Sequence, residues 1–200
     1  MKDAEPEFVL GAMLPDFTSM LRLGPFEVES ELIRRGVALH HETDEAFHGN
    51  DSFVELSGWT TSELLARGVG RGGARAVGHI GVELLLDGTL LPDPRGEALY
   101  LNALHHLAAN RILPDTPEDA SQALSRLASR IASYGSPSTH SDPESVTERL
   151  IGILRHRPRL RIEETEREAT VDVLRALEPK IALHSPHILQ SVLSALRRPV

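Results

Sequence analysis

The stretch Val28-Glu-Ser-Glu-Leu-Ile33-Arg-Arg-Gly-Val37-Ala-Leu-His40-His-Glu-Thr-Asp44-Glu-Ala-Phe-His48 decides the fold class. Each residue of an α-helix advances the side chain by about 100°. With Val28 at zero, His40 falls at about 120°, Ile33 at about 140°, Asp44 at about 160°, Val37 at about 180° and His48 at about 200°. Glu31, Arg34, Arg35, Glu42 and Glu45 fall mostly on the other side, as a solvated face should, with His41 on the border. Three polar groups therefore continue an apolar stripe. Their spacing of four residues stacks them on successive turns.

A second stretch, Ala76-Val-Gly-His79-Ile-Gly-Val-Glu83-Leu-Leu-Leu86, has one His and one Glu, again four apart, as its only ionisable residues. A carboxylate among apolar neighbours is costly unless it is paired, hydrogen-bonded, neutralised or bound to a metal. The two rows, with Asp16 upstream, predict a buried polar site on the inward faces of neighbouring helices. Asp87 extends the second row by a turn, or ends the helix before Gly88.

Outward from these stretches the pattern stays helical. Helices are expected near 6–22, 26–48, 51–67, 73–87, 95–110, 117–134, 143–156, 163–184 and 187–197. Gly24-Pro25, Gly49-Asn50, the glycines from Gly68 to Gly73, Gly88, Pro92-Asp-Pro94 and Gly135-Ser-Pro137 punctuate them. Asp51 reads as an N-cap, and Thr116 as a cap before Pro117. No stretch alternates for long enough to read as a strand. The expectation is an all-α, single-domain helical bundle over residues 1–200, with 136–142 an ordinary loop. A length of 200 residues and 40% hydrophobic content suit one core.

A formal net charge of −8 argues against nucleic-acid or anionic-membrane binding, because a polyanion meets net repulsion. Cysteine is absent, which excludes disulfides, thiolate zinc sites and cysteine nucleophiles. The start, Met1 to Glu7, is acidic, and no apolar run approaches the roughly 18 residues of a membrane span. A cytoplasmic protein is the simplest expectation.

Imidazole and carboxylate donors without sulfur suit manganese, iron or zinc, as one or two ions, better than magnesium or calcium. The structural alternative at each position is a satisfied core histidine, but two such rows favour a metal. His105 and His106 read as one core and one surface residue, and His184 and His187 have weaker context. Arg155, Arg157, Arg159 and Arg161 either contact phosphate or pair with the acidic run Glu163, Glu164 and Glu166.

The pieces Gly11-Ala-Met-Leu-Pro-Asp16-Phe17, Gly36-Val-Ala-Leu-His40-His-Glu-Thr-Asp44 and Arg157-Pro-Arg-Leu160, in that order, resemble the acyl carrier protein phosphodiesterase family. The resemblance covers roughly 8–165 and rests on order and spacing. It implies a helical fold related to the HD-type phosphohydrolases. Asp16, His40 and Asp44 match family positions directly. His48 and His79 stand where the family has Asp, Glu83 where it has a second Asp, and Leu84 where it has His. The family's Asn-x-Leu-Ala-His opening and its aromatic richness are missing here.

The resemblance implies a metal-dependent phosphoester hydrolase. Asp16, His40, Asp44, His48, His79 and Glu83 would be its ligands, Asp16 and Asp44 its catalytic carboxylates, and Arg157 and Arg159 its phosphate contacts. A divalent metal would lower the pKa of water and stabilise phosphoryl charge. The implied partner is an acyl carrier protein or a small phosphoester. The nitrogen-rich ligand set also raises an iron-dependent oxygenase or oxidase. A non-catalytic, metal-stabilised helical binding module is the third reading.

Overall fold

A proline at the first helical position, where no backbone donor is lost, opens α1 (Pro6–Met20). The computed structural model describes residues 5–90, 94–109, 112–113, 117–133 and 142–197. Further along are α2 (Glu31–His48), α3 (Asp51–Ala66), α4 (Arg71–Ala76), a π-helical segment (Val77–Gly81), α5 (Val82–Leu90), α6 (Pro94–Ala109), α7 (Glu118–Ser133), α8 (Pro143–Leu154) and α9 (Arg167–Leu196). The protein is all-helical, with no strand among the described residues. No helix among them is long and apolar enough to cross a membrane.

Contacts divide the chain into two compact units, each built from two segments. The first takes residues 1–44 and 93–136, the second 45–92 and 137–200, and the chain passes between them within α2.

In the first unit, Leu10, Leu14 and Phe17 of α1 meet Ile33 of α2, Leu104 and Leu107 of α6, and Leu124 and Leu127 of α7. α1 and α2 cross at Gly11 and Gly36. A methyl on Gly36 would overlap the Phe8 carbonyl oxygen and lie 2.7 Å from Gly11 Cα. Close to this crossing, Pro15 sits inside α1 without a donor for the preceding turn. His40 Nδ1 donates to the Ala12 carbonyl across 3.0 Å. This places Gly36 and His40 on the packed side of α2 and leaves Asp44 exposed, so the buried face is turned from the one apolar periodicity suggests. The helix also starts at Glu31 rather than near residue 26. Ser30 stands just before it, its hydroxyl donating to Glu7 across 2.6 Å.

In the second unit, Phe53, Leu56 and Leu64 of α3, Val77, Val82 and Leu86, Leu150 of α8, and Leu174, Leu177 and Ile181 of α9 form the core. The cap of α3 is Asn50, not Asp51: Asn50 is extended and its side chain accepts from Ser52 N and Phe53 N. α9 runs unbroken through Pro179 and Pro186, where a stop between 184 and 187 was expected. Its buried stripe, Leu177, Ile181, Ser185, Ile188 and Val192, continues past both prolines, so packing outweighs each missing donor. The punctuation at Pro92-Asp93 and Gly135-Ser136-Pro137, the loop 136–141 and the cap at Thr116 lie outside the described residues.

α8 is started by Asp142, whose carboxylate accepts from Ser145 N at 2.8 Å and from Ser145 Oγ at 2.6 Å. These bonds, the hydroxyl first, hold its pKa below the ordinary 3.8. A depressed carboxylate stabilises the fold above its unfolded value, and that contribution is lost as pH falls through the folded value. Asp142→Ala is expected to cost about 1 kcal/mol in urea unfolding at neutral pH. The deficit should shrink as pH falls below 3.8.

Candidate metal centre

Gly78 and Gly81 flank His79 in the π-helical segment. Gly78 lets the backbone lie directly on α3, because a methyl there would overlap Thr61 Oγ1 and lie 2.8 Å from the Ser57 carbonyl oxygen. Gly81 faces Leu174 and Leu150 across the same core. Held down on both sides, the segment widens by one residue per turn, a distortion often found at functional sites. His79 emerges from it, and Glu83 follows in the first turn of α5.

His79 Nε2 lies 3.3 Å from Glu83 Oε1. The last residue of α2, His48, also belongs to the second unit and places its Nε2 3.6 Å from the same oxygen. The two imidazoles stack, with centroids 4.8 Å apart and planes 14° from parallel. Phe53 meets both rings edge-on, at 5.1 Å from His48 and 5.5 Å from His79, and Phe47 packs on Phe53 at 4.5 Å. An aromatic wall thus orients both rings toward one carboxylate.

Donor atoms of His48, His79 and Glu83 lie within 4.8 Å of one another. Zinc bonds of about 2.0–2.2 Å in a tetrahedral shell separate neighbouring donors by about 3.3 Å. The 3.3 and 3.6 Å separations to Glu83 are close to that edge, so the three donors could hold a small divalent ion. Two imidazole nitrogens and one carboxylate oxygen make three donors, fewer than the four of a closed tetrahedral zinc site.

The site is not the buried one that the apolar run suggested. The His79 side chain is 51% exposed, and those of His48 and Glu83 are each 31% exposed. The π turn directs His79 outward while Val77, Val82, Leu85 and Leu86 take the core. Asp16 on α1 and Asp44 on α2 are exposed, and His40 is half-buried on the Ala12 carbonyl; all three belong to the first unit. Asp87 is exposed and outside the three-residue group.

Arg157 and Arg159 lie in the turn after α8, where Leu160 N and Arg161 N both donate to the Arg157 carbonyl. Of this basic run, Arg161 pairs with Glu163, as the surface reading expects. Residue patterns gave no sign of Phe53 as the wall of the site, because an aromatic at helical spacing reads simply as core. The Gly-His-Ile-Gly spacing was the available signal for the π turn. No family model, curated protein or solved structure matches this chain.

Proposed function

We propose that the protein is a divalent-metal-dependent phosphoester hydrolase on an HD-like helical scaffold, with His48, His79 and Glu83 holding the ion. The convergence of two imidazole Nε2 atoms on one Glu83 oxygen carries this reading. When bound, the ion would supply Lewis-acid stabilisation of phosphoryl charge and a hydrolytic nucleophile near neutral pH. Phe53 orients the two rings, and the partial exposure of His79 leaves the ligand set open to a substrate. Arg157 and Arg159 supply planar forks for phosphate oxygens.

Support for the reaction class comes from the ordered motifs around Asp16, His40, Asp44 and Arg157 that resemble the acyl carrier protein phosphodiesterases. A phosphopantetheinylated carrier protein or a small phosphoester is the proposed substrate. Asp16, His40 and Asp44 enter as further ligands, with Asp16 and Asp44 catalytic, through that resemblance alone.

A second reading is favoured by one observation: two histidines and one carboxylate are also the ligand set of non-haem iron oxygenases. Elemental analysis of protein purified without added metal, then assay on a phosphoester panel and in an oxygen electrode, separates the two. The expected result is about one ion of zinc, manganese or iron per chain and phosphate release without oxygen uptake. Metal-free protein that takes up no added ion would end both readings.

A further inference from the structure

Arg71, Arg75, His79 and Glu83 recur at every fourth residue along α4, the π-helical segment and α5, and all four are at least partly exposed. In α4 a four-residue step drifts only about 40° and rises about 6 Å, so Arg71 and Arg75 stand in one row, and the π-helical segment follows it with His79. Two guanidinium groups therefore follow one another along the element that carries two of the three metal donors.

A separate contact brings further arginines to the same end. Gly72 lies against the backbone of Arg159, such that a methyl on Gly72 would overlap the Arg159 carbonyl oxygen and lie 2.9 Å from its carbon. The turn carrying Arg157 and Arg159 is thereby seated beside Arg71. Of the nearby carboxylates, Glu163 pairs with Arg161, and Glu166 accepts from the amides of Gly70 at 2.7 Å and Glu163 at 2.8 Å. Among the described residues, Arg71, Arg75, Arg157 and Arg159 have no carboxylate partner. In a chain of net charge −8, four arginines without an ion pair thus lie on the elements next to the metal donors.

We propose that this row recognises an oligophosphate: one phosphoryl group beside His79 and Glu83, and the phosphates joined to it along Arg75, Arg71 and Arg159. The inference rests on the phosphohydrolase reading and narrows its substrate class. A lone phosphate offers one set of oxygens to these forks, whereas phosphates in series carry more charge and present further oxygens to Arg75, Arg71 and Arg159 together.

The test is calorimetric titration of the full chain with tripolyphosphate and with orthophosphate, in EDTA so that no metal contributes. Tripolyphosphate should bind about 10-fold or more tightly than orthophosphate, with a steep salt dependence. Arg71→Ala/Arg75→Ala/Arg159→Ala should weaken it by about 10-fold or more, Arg75→Lys less, and the exposed first-unit Arg130→Ala should match wild type. Unfolding midpoints in urea check that each variant remains folded. Equal affinities for the two anions, or a triple variant that binds like wild type, would overturn the proposal. In a parallel assay with metal, hydrolysis of tripolyphosphate unaffected by the arginine changes sinks the oligophosphate row alone. Oligophosphate binding with no hydrolysis of any phosphoester sinks the hydrolase reading alone.

Discussion

His79→Ala and Glu83→Gln are each expected to lower the affinity for zinc or manganese by about 10-fold or more, while the exposed Glu42→Gln should leave it unchanged. The reason is geometric. Glu83 Oε1 is the shared neighbour of both imidazoles, at 3.3 and 3.6 Å, so the amide removes the one charge that draws a cation to the group. His79→Ala removes a donor that the π-helical segment positions, and among the described residues the group holds only two others. Equilibrium dialysis with metal analysis measures the change directly, without a substrate. Phosphate release should fall with metal content. Asp16→Asn and Asp44→Asn test the two carboxylates that the family resemblance alone adds as ligands, and a loss of metal equal to that of His79→Ala is the result that would support them. Undiminished metal binding in His79→Ala and Glu83→Gln together would refute the assignment.

Gly36→Ala should destabilise the protein by about 3 kcal/mol, because inserting atoms into a closed contact costs about 1–3 kcal/mol and here the obstacle is backbone. Helix propensity alone has the opposite sign, since Ala in a helix interior is favoured over Gly by about 1 kcal/mol. The added methyl would overlap the Phe8 carbonyl oxygen and reach within 2.7 Å of Gly11 Cα, neither of which is the movable end of a side chain. Gly58→Ala in α3 and Gly152→Ala in α8 are the controls, since nothing lies within 4 Å of a methyl at either position. They should stabilise by about 0.5–1 kcal/mol, as propensity dictates. Urea midpoints of the three variants decide the matter, and a stabilised Gly36→Ala would show that the helices part there without cost.

Gly36 also explains why the face of α2 was misread. Periodicity weighs side chains, and glycine has none to weigh. It is nevertheless the position where α1 comes closest, and so it chooses which neighbours are buried. With Ile33 and Gly36 against α1, His40 is carried partly inward and Asp44 outward. The pairing of His79 with Glu83 was legible, because four-residue spacing survives a local change of helical turn. Their depth was not. One π turn directs His79 to the surface without altering the apolar composition around it. Likewise, Pro179 and Pro186 read as punctuation locally, but the stripe from Leu177 to Val192 spans both.

Read alone, the sequence determined that the chain is helical, where most helices begin and end, and that His48, His79 and Glu83 carry donor chemistry. Those properties follow from local spacing, capping and residue type, which act over one or two turns. Tertiary structure decided the crossing at Gly11 and Gly36, the division of the chain within α2, and the meeting of His48 with His79 and Glu83 behind the Phe53 wall. Each of these depends on backbones and side chains distant in sequence approaching closely enough to exclude alternatives, and close packing between elements leaves no periodic trace within either one.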